Sequence, residues 1–581
     1  MFTKINSGGI RGIEGFFVSV EADVSNGLPA FSISGQLASE VREAQERVRT
    51  ALKNSGFQLP AKKITVNLSP AGVKKGGTAF DLPIAVAVLG AFGVLDIRQL
   101  EDSMIIGELG LDGTVKPVTG ILVQTAAARD RGLKRCFLPE ENRTEGILAE
   151  GIEVIGVRSL AQMAELLNGR KVGVFGETGW TENEASKKVL TQFRENMLVP
   201  DKAYDVDFKE INGQGVLRRA AEVAAAGMHG LLMCGSAGTG KSMVAARIPS
   251  ILPGLTWQEN IEISKVYSVC GQLPYSHPVL SKRPFRSPHH TISPQGLTGG
   301  GRFPKPGELS LASGGVLFLD ELPHFSRGAI EALRQPLENR RIVVSRAEYS
   351  CEFPADFLIV GAMNPCPCGF FPDRNRCRCT ETQIRGYLRR LSRPILERFD
   401  ICVEAAPVSF HELEGRNLKN ESSAAIRNRV ERAVKIQKKR FEGTDIRFNS
   451  HMGSGELNRY CRLGEKERDF AQKVYEARGL SARSYHKALK TARTIADLEE
   501  EPQIKREHLA EAFGYRILEE RLWGQEKNRK AVFALAVQAG RTGAGDGAED
   551  RGLCRRIQKR ILYRRNGTEK SGNLKTGGKL P

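Results

Sequence analysis

The chain has 581 residues, a length at which one hydrophobic core gives way to about three or four domains. It is 40% hydrophobic and 26% charged, the balance of a soluble globular protein. The net charge is +19 and stays positive without residues 521–581, which hold 15 Lys and Arg against 5 Asp and Glu. This balance favours a polyanionic partner, nucleic acid or an acidic membrane surface, over solvated basic faces alone.

The sequence has no segment suited to a membrane span. Its longest near-apolar run, 82–95, has 14 residues, which is too short for a bilayer and predicts a core helix. The N-terminus has no apolar signal segment, so we expect a cytoplasmic protein without membrane association. In that compartment the eleven cysteines indicate thiols or a metal site rather than disulfides.

Residues 1–165 alternate strand-like runs with helical ones, which predicts a compact α/β or α+β domain. The stretches 70–81, 106–117 and 138–142 resemble the catalytic domain of Lon proteases. The resemblance implies an α+β fold of the ribosomal S5 type. That family cleaves peptides with a serine that is activated by a lysine of lowered pKa.

The residues that would carry proteolysis differ from those of the Lon family. Thr78 lies where the serine belongs, and the stretch 119–128, which should carry the lysine, contains none. A threonine hydroxyl with no base beside it is a poor nucleophile. We therefore expect a structural or substrate-contacting role for this domain and no protease activity.

A glycine-rich, then charged segment at 166–200 predicts a linker to a second domain, 201–407. Within that domain, the apolar run 231–234 predicts a buried strand and 243–247 predicts the start of a helix. Strand, glycine-rich loop and helix are the context in which backbone N–H groups close around phosphates. The loop between them consists of Gly235, Ser236, Ala237, Gly238, Thr239, Gly240, Lys241 and Ser242.

This loop predicts an ATP site with Mg²⁺. Lys241 would reach the β- and γ-phosphates, and the Ser242 hydroxyl would bind Mg²⁺. Asp320 and Glu321 follow an apolar run at 315–319, at the end of a strand where ligands of open α/β sheets bind. Asp320 would hold Mg²⁺, directly or through water, and Glu321 would polarise the attacking water.

Two further residues complete the predicted ATP site. Asn364 ends the apolar run 357–363 and would hold the attacking water in line, although a strand-end turn explains an isolated asparagine equally well. Arg398 precedes the strand-like run 401–404 and would reach the γ-phosphate bound by a neighbouring subunit. The alternative for Arg398 is a surface salt bridge, and Arg390 and Arg393 are the other candidates for its role.

These motifs resemble AAA+ ATPases of the magnesium-chelatase type. Particularly close are the runs 286–296, 306–322 and 363–369, and residues 1–516 resemble the ComM/YifB branch of competence-linked ATPases. The resemblance implies an AAA+ P-loop core with a parallel sheet, an α-helical lid at 408–516, and a hexameric ring with ATP between subunits. It also implies Arg398 as arginine finger and DNA threading or branch migration as the work done.

The resemblance also implies a second sensor in the lid. Arg483 matches it, at the start of a predicted helix, where it would contact the nucleotide phosphates and couple hydrolysis to lid motion. An ordinary arginine in the first turn of a helix is the alternative. Beyond about residue 516 the resemblance ends, and 517–581 is a basic tail that we expect to be disordered from about residue 540.

Two segments of the second domain carry cations suited to DNA. One is the loop 299–305, which adds an aromatic side chain for stacking, and the other is a β-hairpin expected at 341–351. Cations that bind phosphates and an aromatic ring that stacks on bases are typical of a nucleic-acid groove, and ordinary solvated loops are the alternative. The candidate DNA contacts are Arg302, Lys305, Arg341 and Arg346.

Four cysteines form a CxC-x₈-CxC pattern directly after Asn364. Two closely spaced pairs of thiolates can enclose a tetrahedral Zn²⁺ and clamp a short polar loop. Free thiols or one adventitious disulfide are the alternatives. The four residues are Cys366, Cys368, Cys377 and Cys379.

The sequence therefore predicts an ATP-dependent hexameric DNA motor, a helicase or branch-migration enzyme acting on single-stranded or branched DNA. The first alternative is a chelatase-type ATPase that drives metal insertion by a partner subunit. The missing lysine weakens a protease hypothesis, and the complete set of nucleotide motifs weakens that of a non-enzymatic scaffold.

Overall fold

The computed structural model describes residues 1–169, 184–197, 204–345, 350–408 and 420–523. The N-terminal part is a mixed α/β domain in which helices pack on a seven-stranded sheet. Its strands are β1 (Phe2–Arg11), β2 (Glu14–Ser25), β3 (Ala30–Ser34), β4 (Lys63–Ser69), β5 (Ser103–Ile105), β6 (Glu108–Leu109), β7 (Val115–Lys116), β8 (Arg135–Pro139) and β9 (Glu153–Val157). Its helices are Ser39–Asn54, Asp81–Ala91, Ile121–Asp130, Arg143–Ile147 and Leu160–Leu167.

The N-terminal sheet has the order β3-β4-β2-β1-β5-β8-β9 and mixes parallel with antiparallel pairs. Every residue of the helix Asp81–Ala91 is buried, which confirms the predicted core helix. Asp81 is stabilised there by Arg47, whose guanidinium donates hydrogen bonds of 2.8 and 3.0 Å to the carboxylate. The apolar helix against the sheet thus forms a core of its own for this domain.

The second part of the chain is built on a parallel sheet. Its strands are β10 (Leu231–Cys234), β11 (Phe285–Arg286), β12 (Gly299–Gly300), β13 (Lys305–Pro306), β14 (Val316–Leu319), β15 (Arg341–Ser345), β16 (Ser350–Pro354), β17 (Leu358–Met363) and β18 (Ile401–Glu404). Its helices are Gly215–Gly227, Lys241–Arg247, Trp257–Val269, Pro294–Thr298, Glu308–Leu311, Arg327–Ala332, Arg334–Asn339, Glu381–Leu388 and Arg393–Leu396.

The main sheet of this part has the order β11-β14-β17-β10-β18, and every pair in it is parallel. All residues of β10, β14 and β17 are buried, as expected for a sheet that is covered by helices on both faces. The strands predicted from the apolar runs are confirmed. Since the strands are parallel, their carboxyl ends all lie at one edge of the sheet.

Two small hairpins project from this domain. β12 pairs with β13 at the predicted loop 299–305, and β15 pairs with β16 at the predicted hairpin. Arg341 begins the second hairpin and pairs across it with Glu352 at 2.8 Å. The candidate DNA contact Arg346 lies outside the described residues.

The N-terminal domain packs directly on the second domain. The Glu145 carboxylate accepts a hydrogen bond of 2.5 Å from the Ser268 hydroxyl, and the indole N–H of Trp257 donates to Glu150 at 2.6 Å. Burial raises the pKa of Glu145. A buried carboxylate with hydrogen bonds across the boundary fixes the relative orientation of the two domains.

The C-terminal part is helical and contacts the parallel-sheet domain through a buried ionic group. Asp400 lies 2.7 Å from Lys487 and 2.9 Å from Nδ1 of His229, whose Nε2 lies 2.8 Å from the Thr494 hydroxyl. The helices of the C-terminal part are Ser423–Arg440, Ser454–Tyr460, Glu465–Arg478, Ala482–Leu498, Arg506–Gly514 and Ile517–Trp523.

Parts of the segments predicted as linker and tail are helical. The helix Glu184–Met197 lies within 166–200, and Arg194 binds Glu150 of the N-terminal domain at 2.8 Å. The helix Ile517–Trp523 begins the predicted tail, and Leu518 and Leu522 are buried. The disorder expected from about residue 540 concerns residues outside the described part. Among the described helices, no segment combines the length and the apolarity that a bilayer crossing requires.

We predict that Asp400→Asn destabilises the protein by roughly 3 kcal/mol, because it leaves Lys487 buried without a charged partner. Although burial would raise the pKa of Asp400, Lys487 and His229 hold it well below its ordinary value. The stabilisation is therefore complete above the unfolded-state pKa of about 3.9 and is lost as the pH falls below it. Urea unfolding at pH 7 and below pH 4 measures both effects.

The control is Asp469→Asn, which breaks an exposed ion pair with Lys473. It should change stability by less than about 0.5 kcal/mol at either pH. Equal unfolding curves for the two variants would show that the buried contact does not stabilise the junction.

Candidate ATP site

The candidate ATP site lies at the carboxyl edge of the parallel sheet. The glycine-rich loop follows β10, and Asp320 follows β14, two strands away. The Ser242 hydroxyl donates a hydrogen bond of 2.8 Å to the Asp320 carboxylate. The structure thus brings together the two residues that were predicted to bind Mg²⁺, and their oxygen donors suit that hard cation. The role of each remains a prediction.

The glycine-rich loop has the backbone conformation that its sequence requires. Gly238 and Gly240 have φ angles of 75° and 82°, in the left-handed region that favours glycine. A Cβ on either residue would point into open space, so backbone conformation rather than crowding accounts for these glycines. The amide of Gln214 supports the loop by donating to the Thr239 carbonyl at 2.9 Å.

Lys241 is buried inside the loop. Its ammonium donates hydrogen bonds of 2.8 Å to the carbonyls of Gly235 and Ser236. Burial lowers the pKa of Lys241. Oδ1 of Asn364, at the end of β17, lies 3.5 Å from the Lys241 ammonium. An anion bound in the loop would therefore meet a cation that is already held in place by the backbone.

Two histidines that were given no role from the sequence contact Glu321. Nδ1 of His324 lies 3.2 Å from the Glu321 carboxylate, and Nδ1 of His290 lies 3.7 Å from the same oxygen. His290 follows β11, the strand next to β14, which explains why it reaches Glu321. The sequence feature that could have indicated the role of His290 is the pair His289-His290 in the run 286–296. The centres of the two rings lie 4.1 Å apart.

The predicted arginine finger is engaged within its own chain. The Arg398 guanidinium pairs with Glu338, and its side chain is 12% exposed. Its Nε is buried and has no hydrogen-bond partner among the described residues. Arg390 and Arg393, the other candidates, are both exposed. A trans role for Arg398 would require it to leave Glu338 when a second subunit binds.

Arg483 lies in the first turn of the helix Ala482–Leu498, as predicted, and its guanidinium pairs with Glu397 of the parallel-sheet domain. Its side chain is half-exposed. The contact ties the C-terminal helices to the residue that precedes Arg398. Arg483 therefore lies at the junction where motion of the helical part would be transmitted.

The four cysteines that follow Asn364 form one cluster. Their sulfur atoms all lie within 4.8 Å of one another, and only Cys368 is exposed. Donation by the backbone N–H of Phe370 lowers the pKa of Cys368, whereas burial raises the pKa of Cys377. Four thiols at this distance are the donor set of a structural zinc site.

The candidate DNA contacts Arg302 and Lys305 are exposed on the hairpin of β12 and β13. The Phe303 ring between them packs against the N-terminal domain, where a Cβ on Gly76 would lie 2.9 Å from the ring. The ammonium of Lys74 lies 5.9 Å from the centre of that ring. The aromatic side chain thus anchors the hairpin and leaves its cations at the surface.

The Lon-like part of the N-terminal domain has an acidic group beside Thr78. The Thr78 hydroxyl donates a hydrogen bond to Glu108. Lys75 is fully buried, and its ammonium donates to the carbonyl of Pro70. The sequence-based premise that no base lies beside Thr78 is therefore wrong, since the Glu108 carboxylate accepts its hydrogen bond. The absence of protease activity stays a prediction.

Three family models match the chain. They are described as magnesium chelatase subunit ChlI over residues 207–413, subunit ChlI of Mg-chelatase over 20–142, and the C-terminal part of magnesium chelatase subunit ChlI over 420–516. Together they cover both sheet domains and the helical part.

Similar proteins align over most of the chain. Competence protein ComM of Haemophilus influenzae is 40% identical over 509 residues, which is 87% of this chain and 96% of that protein. YifB of Salmonella typhimurium is 38% identical over 86% of this chain and 94% of its own length. The archaeal Lon protease of Methanocaldococcus jannaschii is 28% identical over 171 residues, so the likeness to Lon proteases is partial.

We predict that His324→Ala and His290→Ala each lower kcat for ATP hydrolysis about tenfold, the size of one hydrogen bond to a charged group. KM for ATP should change little, because both histidines contact Glu321, which lies outside the glycine-rich loop that would bind the phosphates. Steady-state ATPase kinetics measure both constants, and the double variant tests whether the two histidines act on Glu321 together.

The matched control is His277→Ala, at an exposed loop position. It should leave both constants unchanged. An increase in KM without a change in kcat would contradict the prediction that His290 and His324 act through Glu321.

Proposed function

The chain belongs to the magnesium-chelatase-like family of ComM and YifB, and from this premise we propose that it is an ATP-driven DNA motor. The observation that carries the proposal is the hydrogen bond of 2.8 Å between Ser242 and Asp320, beside the buried Lys241. That arrangement suits the binding of a nucleoside triphosphate with Mg²⁺. We propose ATP, Mg²⁺ and, at the four thiols, Zn²⁺ as the cofactors.

In this proposal the glycine-rich loop binds the phosphates. Its backbone N–H groups and the N-terminus of the helix Lys241–Arg247 bind phosphate oxygens, and Lys241 exchanges its two carbonyl partners for the β- and γ-phosphates. Ser242 and Asp320 hold Mg²⁺, which neutralises charge that develops on the transferring group. The two residues are already adjacent, so little reorganisation precedes binding.

Glu321 orients the attacking water. It has a φ of 49°, a left-handed conformation that is uncommon for glutamate and occurs frequently at functional sites. His290 and His324 restrict its carboxylate, and Asn364, after β17, lies with its Oδ1 3.5 Å from the Lys241 ammonium. Glutamate and asparagine together place the water in line with the γ-phosphate.

We propose that the active form is a ring, a hexamer by analogy with the family. Arg398 lies in the segment that would complete a neighbouring subunit's site, and arginine fingers contribute about 10³–10⁵-fold in rate. Its pairing with Glu338 would then be the resting state, released when the neighbour binds ATP. Arg483, paired with Glu397, would transmit the motion that accompanies release of Arg398 to the C-terminal helices.

The proposed substrate is single-stranded or branched DNA. Arg302 and Lys305 are exposed on a hairpin that Phe303 anchors, and the net charge of +19 favours a polyanion. The relative named as a competence protein is consistent with DNA taken up and recombined. Translocation would follow if ATP-driven motion of the subunits moves this hairpin.

A second candidate is a chelatase-type ATPase that drives a separate metal-inserting subunit. The three family models, all described by magnesium chelatase, favour it. The exposed cations of the β12–β13 hairpin are not required by that activity. The two functions differ in their response to DNA, which makes them separable in one assay.

We predict that forked DNA stimulates ATP hydrolysis by the wild type severalfold or more. Glu321→Gln should lower the rate about 10²–10⁴-fold because it removes the group that activates water, while ATP binding persists. Phosphate release with and without DNA, together with equilibrium binding of a fluorescent ATP analogue, measures these effects.

Glu46→Gln, at an exposed position of the N-terminal domain, is the control and should behave as the wild type. An ATPase that ignores every nucleic acid would favour the chelatase-type function. A wild type that cannot hydrolyse ATP with Mg²⁺ present would overturn both.

We also predict that the double variant Arg302→Ala with Lys305→Ala binds single-stranded DNA more weakly. Loss of two phosphate contacts should reduce the slope of log K against log salt concentration by about 1.4. Fluorescence anisotropy over a range of salt concentrations measures it. Arg98→Ala with Lys134→Ala removes two exposed cations elsewhere and is the charge-matched control. Equal slopes for the two double variants would remove this hairpin from the DNA site.

A further inference from the structure

The loop between Asn364 and the helix Glu381–Leu388 contains the four clustered cysteines and contacts the glycine-rich loop. No helix or strand forms between these two points. The loop therefore takes its shape from its own side chains and from its neighbours. Its geometry indicates both a metal and a function for that metal.

The spacing of the sulfur atoms fits zinc closely. Sγ of Cys366 lies 3.4 Å from that of Cys368 and 3.7 Å from that of Cys377, and the last two lie 3.6 Å apart. A tetrahedral site with Zn–S bonds of about 2.3 Å requires sulfur atoms about 3.8 Å apart. Cys379 lies within 4.8 Å of the other three and supplies the fourth ligand.

The surroundings of the sulfur atoms are those of a closed structural site. Cys366, Cys377 and Cys379 are buried, and Cys368 is exposed and leaves a path for the ion. The backbone N–H of Phe371 points at Sγ of Cys366 at 3.4 Å. Such N–H donors support metal-bound thiolates. With four protein ligands the metal has no open position, so its role is to hold the loop rather than to react.

The cysteine loop contacts the glycine-rich loop through Gly369. The Ser236 hydroxyl donates a hydrogen bond of 2.7 Å to the Gly369 carbonyl. A Cβ on Gly369 would lie 3.8 Å from Cγ of Asn364 and 3.9 Å from the backbone N of Ala237. Gly369 thus lies against two residues of the glycine-rich loop and the predicted water-positioning asparagine.

Gly369 is held by the same turn that presents the metal ligands. Its N–H donates to the carbonyl of Cys366 at 3.0 Å, and its φ of 82° is in the left-handed region. Cys366 and Cys368 are therefore spaced as ligands only while Gly369 keeps this turn. The turn that carries two of the four thiols therefore also positions the carbonyl that Ser236 binds.

We propose that one Zn²⁺ bound by Cys366, Cys368, Cys377 and Cys379 fixes Gly369 against Ser236, so that zinc occupancy sets the affinity of the glycine-rich loop for ATP. The proposal rests on the proposed function in one respect, that ATP binds at this loop. Zinc content is measured independently of it.

The first experiment determines the metal. Reduced full-length protein, purified without chelator, should contain one zinc per chain by plasma mass spectrometry. Cys368→Ser and Cys377→Ser should lower that content to well below half. Cys270→Ser, a half-buried thiol outside the cluster, should retain it. Absence of zinc from freshly reduced wild type, or equal content in all variants, would overturn the site.

The second experiment measures the coupling with the wild-type sequence, which avoids variants that fail to fold. Removing zinc with a zinc-selective chelator, with Mg²⁺ kept in excess, should weaken binding of a fluorescent ATP analogue about tenfold, and added zinc should restore it. Far-UV circular dichroism checks that the fold persists. Unchanged affinity after the zinc is gone would overturn the coupling.

The variant Ser236→Ala distinguishes the effect of the contact between Ser236 and Gly369 from the effect of the metal itself. It removes the hydroxyl that binds Gly369 and leaves the four thiols, so it should keep its zinc. ATP binding to this variant should respond to zinc removal by less than about twofold, because the coupling contact is absent. A full tenfold response in Ser236→Ala would overturn the proposed route. Zinc-loaded wild type that binds no ATP would overturn the proposed function, and the coupling with it, while the zinc stoichiometry stands.

Discussion

The parallel pairing of β10, β17 and β14 is the constraint on which the candidate site depends. Because these strands run in one direction, the glycine-rich loop, Asn364 and Asp320 all emerge at the same edge. The hydrogen bond of 2.8 Å between Ser242 and Asp320 is the local result. A shift of one residue in the register of β14 would turn the Asp320 side chain to the other face of the sheet and break its contact with Ser242.

The shared sheet edge explains why groups distant in the sequence lie near the candidate phosphate-binding loop. The segment after β11 brings His290 to Glu321, and the segment after β17 brings Gly369 to Ser236. In both cases the loop after one strand restrains a polar group that follows another strand. The candidate ATP site and the cysteine cluster are thus neighbours because they share one sheet edge, although their residues belong to separate motifs.

The N-terminal domain has a partial sequence likeness to Lon proteases, and its polar groups make contacts within the domain and with its neighbour. Thr78 binds Glu108, and buried groups such as Glu145 bind the parallel-sheet domain instead. The contact of Phe303 with Gly76 extends this junction to the hairpin that carries Arg302 and Lys305. We interpret the domain as a support that orients the cationic hairpin relative to the ATP site.

Much of the fold and of the site was predictable because its signals are local. Glycine spacing, apolar runs and the carboxylates that follow them determined the loop at 235–242, the strands, and the place of Asp320 and Glu321. Only the tertiary structure decided which residues from distant segments surround them: His290 at Glu321, Glu338 at Arg398, Gly369 at Ser236. These contacts depend on strand order and domain packing, which join segments far apart in the sequence, and no local pattern encodes them.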